Sequence, residues 1–207
     1  GPVNENDIAE CVAIDHEGSA FVTGVSTTSK KKGKEVFATI KYNSLGEKKW
    51  EAIYAGPTDK YQASAARIGI DEKGNLYVGG SVKQSSSSEN IAVVKYDQNG
   101  IQQWASIYAG PESYDKIQDM VVAKTGNVYI TGSSEGSSTD NDVITIKYDN
   151  TGNKVWEERF NGPKNGNDYG SAIAIDKNET VYVTGVIKAK KAKDDIITIK
   201  YVQSQPN

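Results

Sequence analysis

The stretch 126–163, GNVYITGSSEGSSTDNDVITIKYDNTGNKVWEERFNGP, contains most of a unit that the chain repeats four times. A copy has a short apolar strand, a strand that ends in Gly, a strand that ends in Lys-Tyr, a Trp strand and a Gly-Pro pair. The recurring residues are Lys41-Tyr42, Lys95-Tyr96, Lys147-Tyr148 and Lys200-Tyr201, then Trp50, Trp104 and Trp156, and the Gly-Pro pairs that begin at Gly1, Gly56, Gly110 and Gly162. Their spacing of about 52–55 residues is typical of propeller blades and similar arrays.

Four strands are predicted in each complete copy, and the first of them covers 12–14, 68–70, 120–122 and 173–175. The fourth copy ends after its third strand, because 202–207 contains no Trp and no turn Gly. The sequence therefore predicts an all-β fold, a β-propeller of four repeats whose last blade lacks its outer strand. We expect one domain, 1–207, with blades at about 7–55, 61–109, 115–161 and 168–202.

Each complete copy has two turns, and most of these turns carry Asp or Asn together with Gly, as is typical of tight turns. The turns between the first and second strands read DHEG, DEKG, AKTG and DKNE. Ala123 replaces the Asp in the third copy, and Glu179 replaces the Gly in the fourth. We interpret these changes as tolerance of the turn to the loss of either signal.

The composition excludes several classes of function. A net charge of −3 gives no overall attraction to nucleic acid, and the sequence has no apolar run of the length that crosses a membrane. The single cysteine, Cys11, excludes an internal disulfide and a metal site made of several cysteines. We expect no cofactor, no nucleic-acid partner and no membrane span.

The combined motif, with Asp before the first strand, V-Y-V-T-G, Lys-Tyr, Trp and Gly-Pro, resembles the bacterial seven-bladed β-propeller repeat, or SBBP repeat, over essentially the whole chain. The matching residues are Asp168, Ala174, Ile175, Asp176, 181–185, Asp195, Lys200 and Tyr201 in the fourth copy, and 126–132, Asp142, 147–149, Gly152, Trp156, Gly162 and Pro163 in the third. The resemblance implies a β-propeller from a bacterial secreted or cell-envelope protein, hence an extracellular or cell-envelope location, with no catalytic activity in the repeat itself. The family builds larger rings than four blades, so ring closure stays open.

The recurring acids allow two interpretations. They could be calcium ligands or paired glycosidase carboxylates, but each turn offers one Asp, and the acids recur once per copy rather than converging on one cleft. A structural role in the turns is the better explanation for Asp15, Asp71, Asp97, Asp149 and Asp176. His16 is expected to be a solvated turn residue and Cys11 a small apolar filler, so we predict no catalytic, cofactor-binding or metal residue.

The loops between the second and third strands, which the repeat does not constrain, are the place where ligand contacts could lie. Two of these loops are basic, and the favoured interpretation is that they are solvated and keep a strand-rich protein in solution, with a ligand-binding role as the alternative. The candidate ligand-facing residues are Lys30, Lys31, Lys32, Lys34, Lys188, Lys190, Lys191 and Lys193. If four blades close into a ring, the two basic loops lie side by side and form one patch.

The sequence favours a non-enzymatic β-propeller scaffold for binding or assembly. The alternatives are a carbohydrate-binding or carbohydrate-active propeller domain and a structural fragment of a larger propeller. The partner, protein or glycan, is not determined by the sequence, and a closed monomer is slightly favoured over a dimer that pairs two open four-blade units. The Trp residues are expected to be core residues. The edge of the last strand, 196–201, is expected to be unpaired and able to recruit a partner.

Overall fold

The computed structural model describes residues 6–28, 33–58, 61–85, 88–112, 114–188 and 193–202. The regular structure in these ranges consists of β-strands, and none of it is a helix that could cross a membrane. The fifteen strands are β1 Asp7–Ile14, β2 Ala20–Thr27, β3 Glu35–Tyr42, β4 Lys48–Tyr54, β5 Gln62–Ile70, β6 Leu76–Ser85, β7 Ser88–Tyr96, β8 Gln102–Tyr108, β9 Asp115–Val122, β10 Val128–Gly136, β11 Thr139–Tyr148, β12 Lys154–Phe160, β13 Tyr169–Ile175, β14 Val181–Lys188 and β15 Asp194–Tyr201. The predicted all-β fold is confirmed.

Consecutive strands pair antiparallel into four up-and-down sheets. Sheet 1 contains β1–β4, sheet 2 contains β5–β8, sheet 3 contains β9–β12 and sheet 4 contains β13–β15. Among the described residues sheet 4 has three strands, in agreement with the missing Trp strand of the fourth copy. The first strand of each sheet begins several residues before its predicted start, because the ladder continues past a bulge that interrupts the apolar pattern.

This bulge explains the Gly that ends the predicted second strand of every copy. The pairing register shifts between Ala9 and Cys11 in sheet 1, and equivalent shifts occur in the other three sheets. A Cβ atom on Gly24 would lie 1.9 Å from the carbonyl oxygen of Ile8, and one on Gly132 would lie 1.8 Å from that of Lys116. Any side chain at these positions would displace the first strand, so the repeat requires Gly there.

Two faces of each sheet are distinguished by the Lys-Tyr pair, since neighbouring residues of a strand point to opposite sides. We call the face with the Lys the front face and the face with the Tyr the back face. The chain divides into two compact units, 1–108 and 109–207, and each contains two sheets. The prediction of a single domain stays a prediction.

In the first unit the front face of sheet 1 packs against the back face of sheet 2. Phe21 and Phe37 come from sheet 1, and Val78, Val94 and Tyr96 come from sheet 2. In the second unit the same relation joins sheets 3 and 4 through a core that contains Tyr129, Val143, Ile173, Val181 and Val183. One rule, front against back, therefore describes the packing inside both units.

The predicted core position of the Trp residues is only partly correct. Trp50 and Trp156 are half-buried and pack against the margins of the two cores. The Trp50 indole N–H donates to the backbone oxygen of Gln98 at 2.9 Å, and its ring centroid lies 6.4 Å from that of Tyr96. These side chains belong to the outermost strand of a sheet, which limits how far they are covered.

Candidate binding surfaces

The predicted basic loops lie mostly outside the described residues. Lys30, Lys31, Lys32, Lys190 and Lys191 fall in the undescribed ranges, so the expected joint patch stays a prediction.

The remaining candidates are Lys34, Lys188 and Lys193. The Lys188 ammonium pairs with Asp194 at 2.5 Å, and this charged hydrogen bond raises the pKa of Lys188. The backbone oxygen of Lys34 closes its loop by accepting from the Thr28 amide at 2.9 Å, and Lys193 is exposed. Lys188 is therefore engaged in a local ion pair at the end of the β14–β15 hairpin.

The recurring acids form turn structures, as the sequence predicted. The Asp15 carboxylate accepts from the backbone amides of Glu17 at 3.0 Å and Ser19 at 2.8 Å. Equivalent bonds to two backbone amides hold the turns at Asp71, Asp97, Asp149 and Asp176. The part of the chain that the structure describes contains no cluster of three His, Cys, Asp or Glu residues that could hold a metal ion. His16 is exposed in its turn, and Cys11 is half-buried.

Sequence reasoning assigned no role to Asp115 and Asp168, which follow the Gly-Pro pairs at Gly110 and Gly162. Asp115 is fully buried and accepts from the Gly110 amide at 2.8 Å and from the Ser134 hydroxyl at 2.5 Å. Burial raises the pKa of Asp115 against the opposing effect of these bonds. Asp168 likewise accepts from the amides of Gly162 and Lys188. The five- or six-residue spacing after Gly-Pro was the available signal, and the role is to fix the segment that enters the sheet.

A polar network extends from Asp115 across sheet 3. The Arg159 guanidinium donates to the backbone oxygen and hydroxyl of Ser134, both at 2.6 Å, and pairs with Asp142 at 3.2 Å. In sheet 2 the positions of Asp115, Ser134 and Arg159 hold the apolar residues Ala63, Val82 and Ile107, whereas the position of Asp142 holds Asn90. Arg159 contacts the buried carboxylate of Asp142 directly and that of Asp115 only through Ser134. The Oδ1 atom of Asp142 is buried and has no hydrogen-bond partner among the described residues, so the network satisfies its two carboxylates incompletely.

The back face of sheet 1 exposes apolar residues. Val12 is 62% exposed, whereas Met120 and Ile173, at the same register in sheets 3 and 4, are each 8% exposed. Ile14 lies beyond Val12 on this face and is also exposed. The face forms an open groove of about 670 Å³ with Val22, Ile40, Tyr42, Lys48 and Glu51 among its lining residues. In sheets 2 and 4 the back face is instead covered, because the front face of sheet 1 or sheet 3 packs against it.

The front face of sheet 4 is exposed as well. Ile196 is 84% exposed, whereas the registered Phe37, Ile91 and Val143 are fully buried. Tyr182 is 36% exposed, and the ammonium of Lys200 lies 5.5 Å from the centre of its ring. Each unit thus has one exposed face, a back face in the first unit and a front face in the second.

Comparison with known proteins gives the fold and no activity. No family model matches the chain, and no curated protein matches it. A protein of unknown function from Dyadobacter fermentans is similar in structure, with a TM-score of 0.57, 9% identity, and coverage of 92% of this chain and 52% of that one. A protein of unknown function from Bacteroides caccae has a TM-score of 0.47 at 9% identity, over 84% of this chain and 57% of its own. The chain therefore spans little more than half the length of these two proteins.

A GH43 endo-arabinanase from Bacillus licheniformis is a more distant likeness. Its TM-score is 0.43 at 13% identity, over 93% of this chain and 73% of its own. At such identities the structural similarity concerns the fold alone.

Proposed function

We propose that the chain is a non-enzymatic assembly scaffold of the β-propeller type that binds a second copy of itself, head to tail, through its two exposed faces. The observation that carries the proposal is the exposure of Val12 on the back face of sheet 1, at a register that is buried in sheets 3 and 4. The front face of sheet 4 offers Tyr182 and Ile196 to such a back face. Exposed apolar faces of this kind mark interaction surfaces.

The proposal extends the packing already present inside the chain. A front face meets a back face in both units, and the aromatic ring of Trp156 on a front side lies 5.7 Å from Tyr201 of the next sheet. A second copy supplies the missing face of each kind, since repeat proteins bury their outer surfaces by stacking further units. The sequence slightly favoured a monomer, and the two exposed faces now favour association.

The absence of catalysis is part of the same proposal. The repeated acids hold turns, whereas Asp115 and Asp142 are buried and accept hydrogen bonds from Ser134 and Arg159, respectively. The Trp rings pack against Phe21, Tyr96, Tyr129 and Tyr201, which favours a structural role over sugar stacking. Membership of the SBBP repeat family and an extracellular or cell-envelope location in bacteria are proposed on the sequence resemblance.

Light scattering over a range of protein concentrations tests the association. We expect the average mass to rise above the 22.4 kDa of one chain, and Val12→Lys to return it to that value, because the ammonium cannot be buried in the interface. Leu45→Lys is the matched control, since Leu45 is an exposed apolar residue in the β3–β4 turn. A mass of one chain at every concentration, or equal effects of the two variants, contradicts the proposal.

A further inference from the structure

The front faces of sheets 1, 2 and 3 share a tilted aromatic contact that sheet 4 lacks among the described residues. In each of the three, a Trp from the fourth strand lies against an aromatic ring of the second strand, with centroid distances of 5.9, 5.9 and 6.3 Å. The covered rings are those of Phe21, Tyr77 and Tyr129, and all three are fully buried. Tyr182 holds the same position in sheet 4 and is partly exposed.

The pairing register defines what the fourth strand presents. Trp50 lies opposite Lys41, and Tyr54 lies opposite Phe37. The same pairs in sheet 2 are Trp104 with Lys95 and Tyr108 with Ile91. The fourth strand thus carries a Trp and a second aromatic residue four positions later, and it places both on the front face.

We propose that β15 binds an extended segment of another polypeptide as an antiparallel fourth strand, with a Trp opposite Lys200 and an aromatic residue opposite Ile196. The inference rests on the proposed role as an assembly scaffold and names its partner at this edge. Addition of a strand to an exposed sheet edge supplies main-chain hydrogen bonds, and alternate side chains supply the specificity. The Trp would cover Tyr182, and the second aromatic residue would cover Ile196, whose equivalents are buried in the other sheets.

None of the three described Trp strands can supply this segment, because each is already engaged in its own sheet. β4, β8 and β12 each pair with the third strand of their own sheet. The outer edge of β15 has no paired strand within the described ranges. A further copy of the chain has its Trp strands engaged in the same way, so it cannot donate one without opening a sheet.

A labelled peptide with the sequence of residues 47–55, EKKWEAIYA, tests the inference by fluorescence anisotropy. The chain used is the Val12→Lys variant, in which self-association is suppressed. We expect binding with a Kd below about 1 mM, the range of weak peptide recognition, and at least about tenfold weaker binding of the peptide that carries Trp50→Ala. Ile196→Lys should weaken binding to a similar degree, whereas Leu45→Lys should leave it unchanged, and both positions are exposed, so neither change should unfold the protein.

Hydrogen exchange identifies the strand that the peptide covers. Bound peptide should protect the amides of β15, because the added ladder satisfies them, and should leave those of β4 unchanged. No binding, equal binding of the Trp50→Ala peptide, or protection elsewhere overturns the inference. Protection of β15 that rises with protein concentration and ignores the peptide makes a second copy the occupant, which also overturns it. Self-association of the unmodified chain is measured separately, so failure of peptide binding and failure of the proposed assembly are distinguished.

Discussion

In both sheet 2 and sheet 3 an Asn side chain and a Tyr hydroxyl donate to a carboxylate that also attracts a Lys ammonium, but the carboxylate comes from a different place in each sheet. In sheet 2 the Asp71 carboxylate, within the turn itself, accepts from the Asn75 side chain at 2.8 Å and from the Tyr77 hydroxyl at 3.0 Å, and it attracts Lys95. Sheet 3 has Ala123 at the position of Asp71. The equivalent donors of sheet 3 contact the Glu179 carboxylate, which belongs to the next sheet. The Asn127 side chain donates to it at 2.9 Å, the Tyr129 hydroxyl also donates to it, and the Lys147 ammonium lies 3.8 Å away.

The two departures from the repeat, Ala123 and Glu179, therefore belong together, because the second compensates for the first. Glu179 has a φ of 58°, at a position where the other copies have Gly, so a residue that avoids this conformation is held there by its contacts. Burial would raise the pKa of Glu179, but hydrogen bonds from Tyr129, Asn127 and Thr125 and the charge of Lys147 together hold it below its ordinary value. The carboxylate that sheet 3 lost is supplied by sheet 4, and the two sheets become linked by it.

Removal of the local carboxylate should have the largest effect. Asp71→Ala leaves the buried Tyr77 hydroxyl without its acceptor and removes the bonds to the amides of Lys73 and Asn75, so we expect a loss of about 3 kcal/mol in the free energy of unfolding. Urea denaturation measures it. Asp97→Ala is the control, because Asp97 holds an equivalent turn through two amides without a buried Tyr, and it should cost about 1 kcal/mol. Equal losses would show that Tyr77 does not depend on Asp71.

Removal of the carboxylate that reaches across sheets should cost less. Glu179→Gly deprives Tyr129 and Asn127 of their acceptor but relieves the positive φ, so we expect a net loss of about 2 kcal/mol by the same measurement. Glu179→Gln is the control, since its amide oxygen can still accept while the charge opposite Lys147 is lost, and its effect should be smaller. A Glu179→Gly protein as stable as the parent would contradict this, because it would mean that the relief of the φ strain fully offsets the lost contacts.

The sequence predicted each turn but not the link between two of them. Periodicity gave the strand order, because turn signals and alternation recur four times, and Asp15 or Asp97 could be assigned because an Asx turn is closed within five residues. Ala123 and Glu179 were interpreted as separate tolerances, although an acid appears one repeat after an acid is lost. Their connection depends on how far a side chain reaches between packed sheets, which no local pattern encodes.

The candidate surfaces show the same limit of sequence reasoning. The sequence of the fourth copy shows no Trp strand, and it predicts that the edge of β15 has no paired strand, as is found within the described ranges. The exposure of Val12 is not predicted, because Val12 has the same apolar pattern as its buried equivalents Met120 and Ile173. Whether such a residue is buried depends on whether another sheet packs against it, and the repeat pattern carries no information about that packing.

A carboxylate restored at position 123 of sheet 3 should recover part of the stability that is lost when the Glu179 carboxylate is removed. Ala123→Asp in the Glu179→Gly background rebuilds the arrangement of sheet 2, and we expect it to recover about 1 kcal/mol or more. In the presence of Glu179 the same change should destabilise, because Ala123 is buried beside Tyr129 and two carboxylates would compete for one set of donors. The double-mutant cycle, measured by urea denaturation, should therefore show a coupling energy that favours the double variant. Additive effects of the two substitutions would show that positions 123 and 179 are not coupled, which contradicts the prediction.

The smallest effect expected is in the pH dependence of stability. A carboxyl whose pKa is lowered by folding stabilises the folded state at pH values above its unfolded pKa, and this stabilisation is lost as the pH falls through the lower folded value. The difference in unfolding free energy between the parent and Glu179→Gln should therefore be constant near pH 7 and shrink in the acidic range below the ordinary pKa of a Glu. Tyr129→Phe removes one of the bonds that lower the pKa, so it should move this loss to higher pH. NMR titration of the Glu179 carboxyl measures its pKa in the parent and in Tyr129→Phe. An equal pKa in the two proteins would show that the Tyr129 hydroxyl does not help to hold Glu179 ionised.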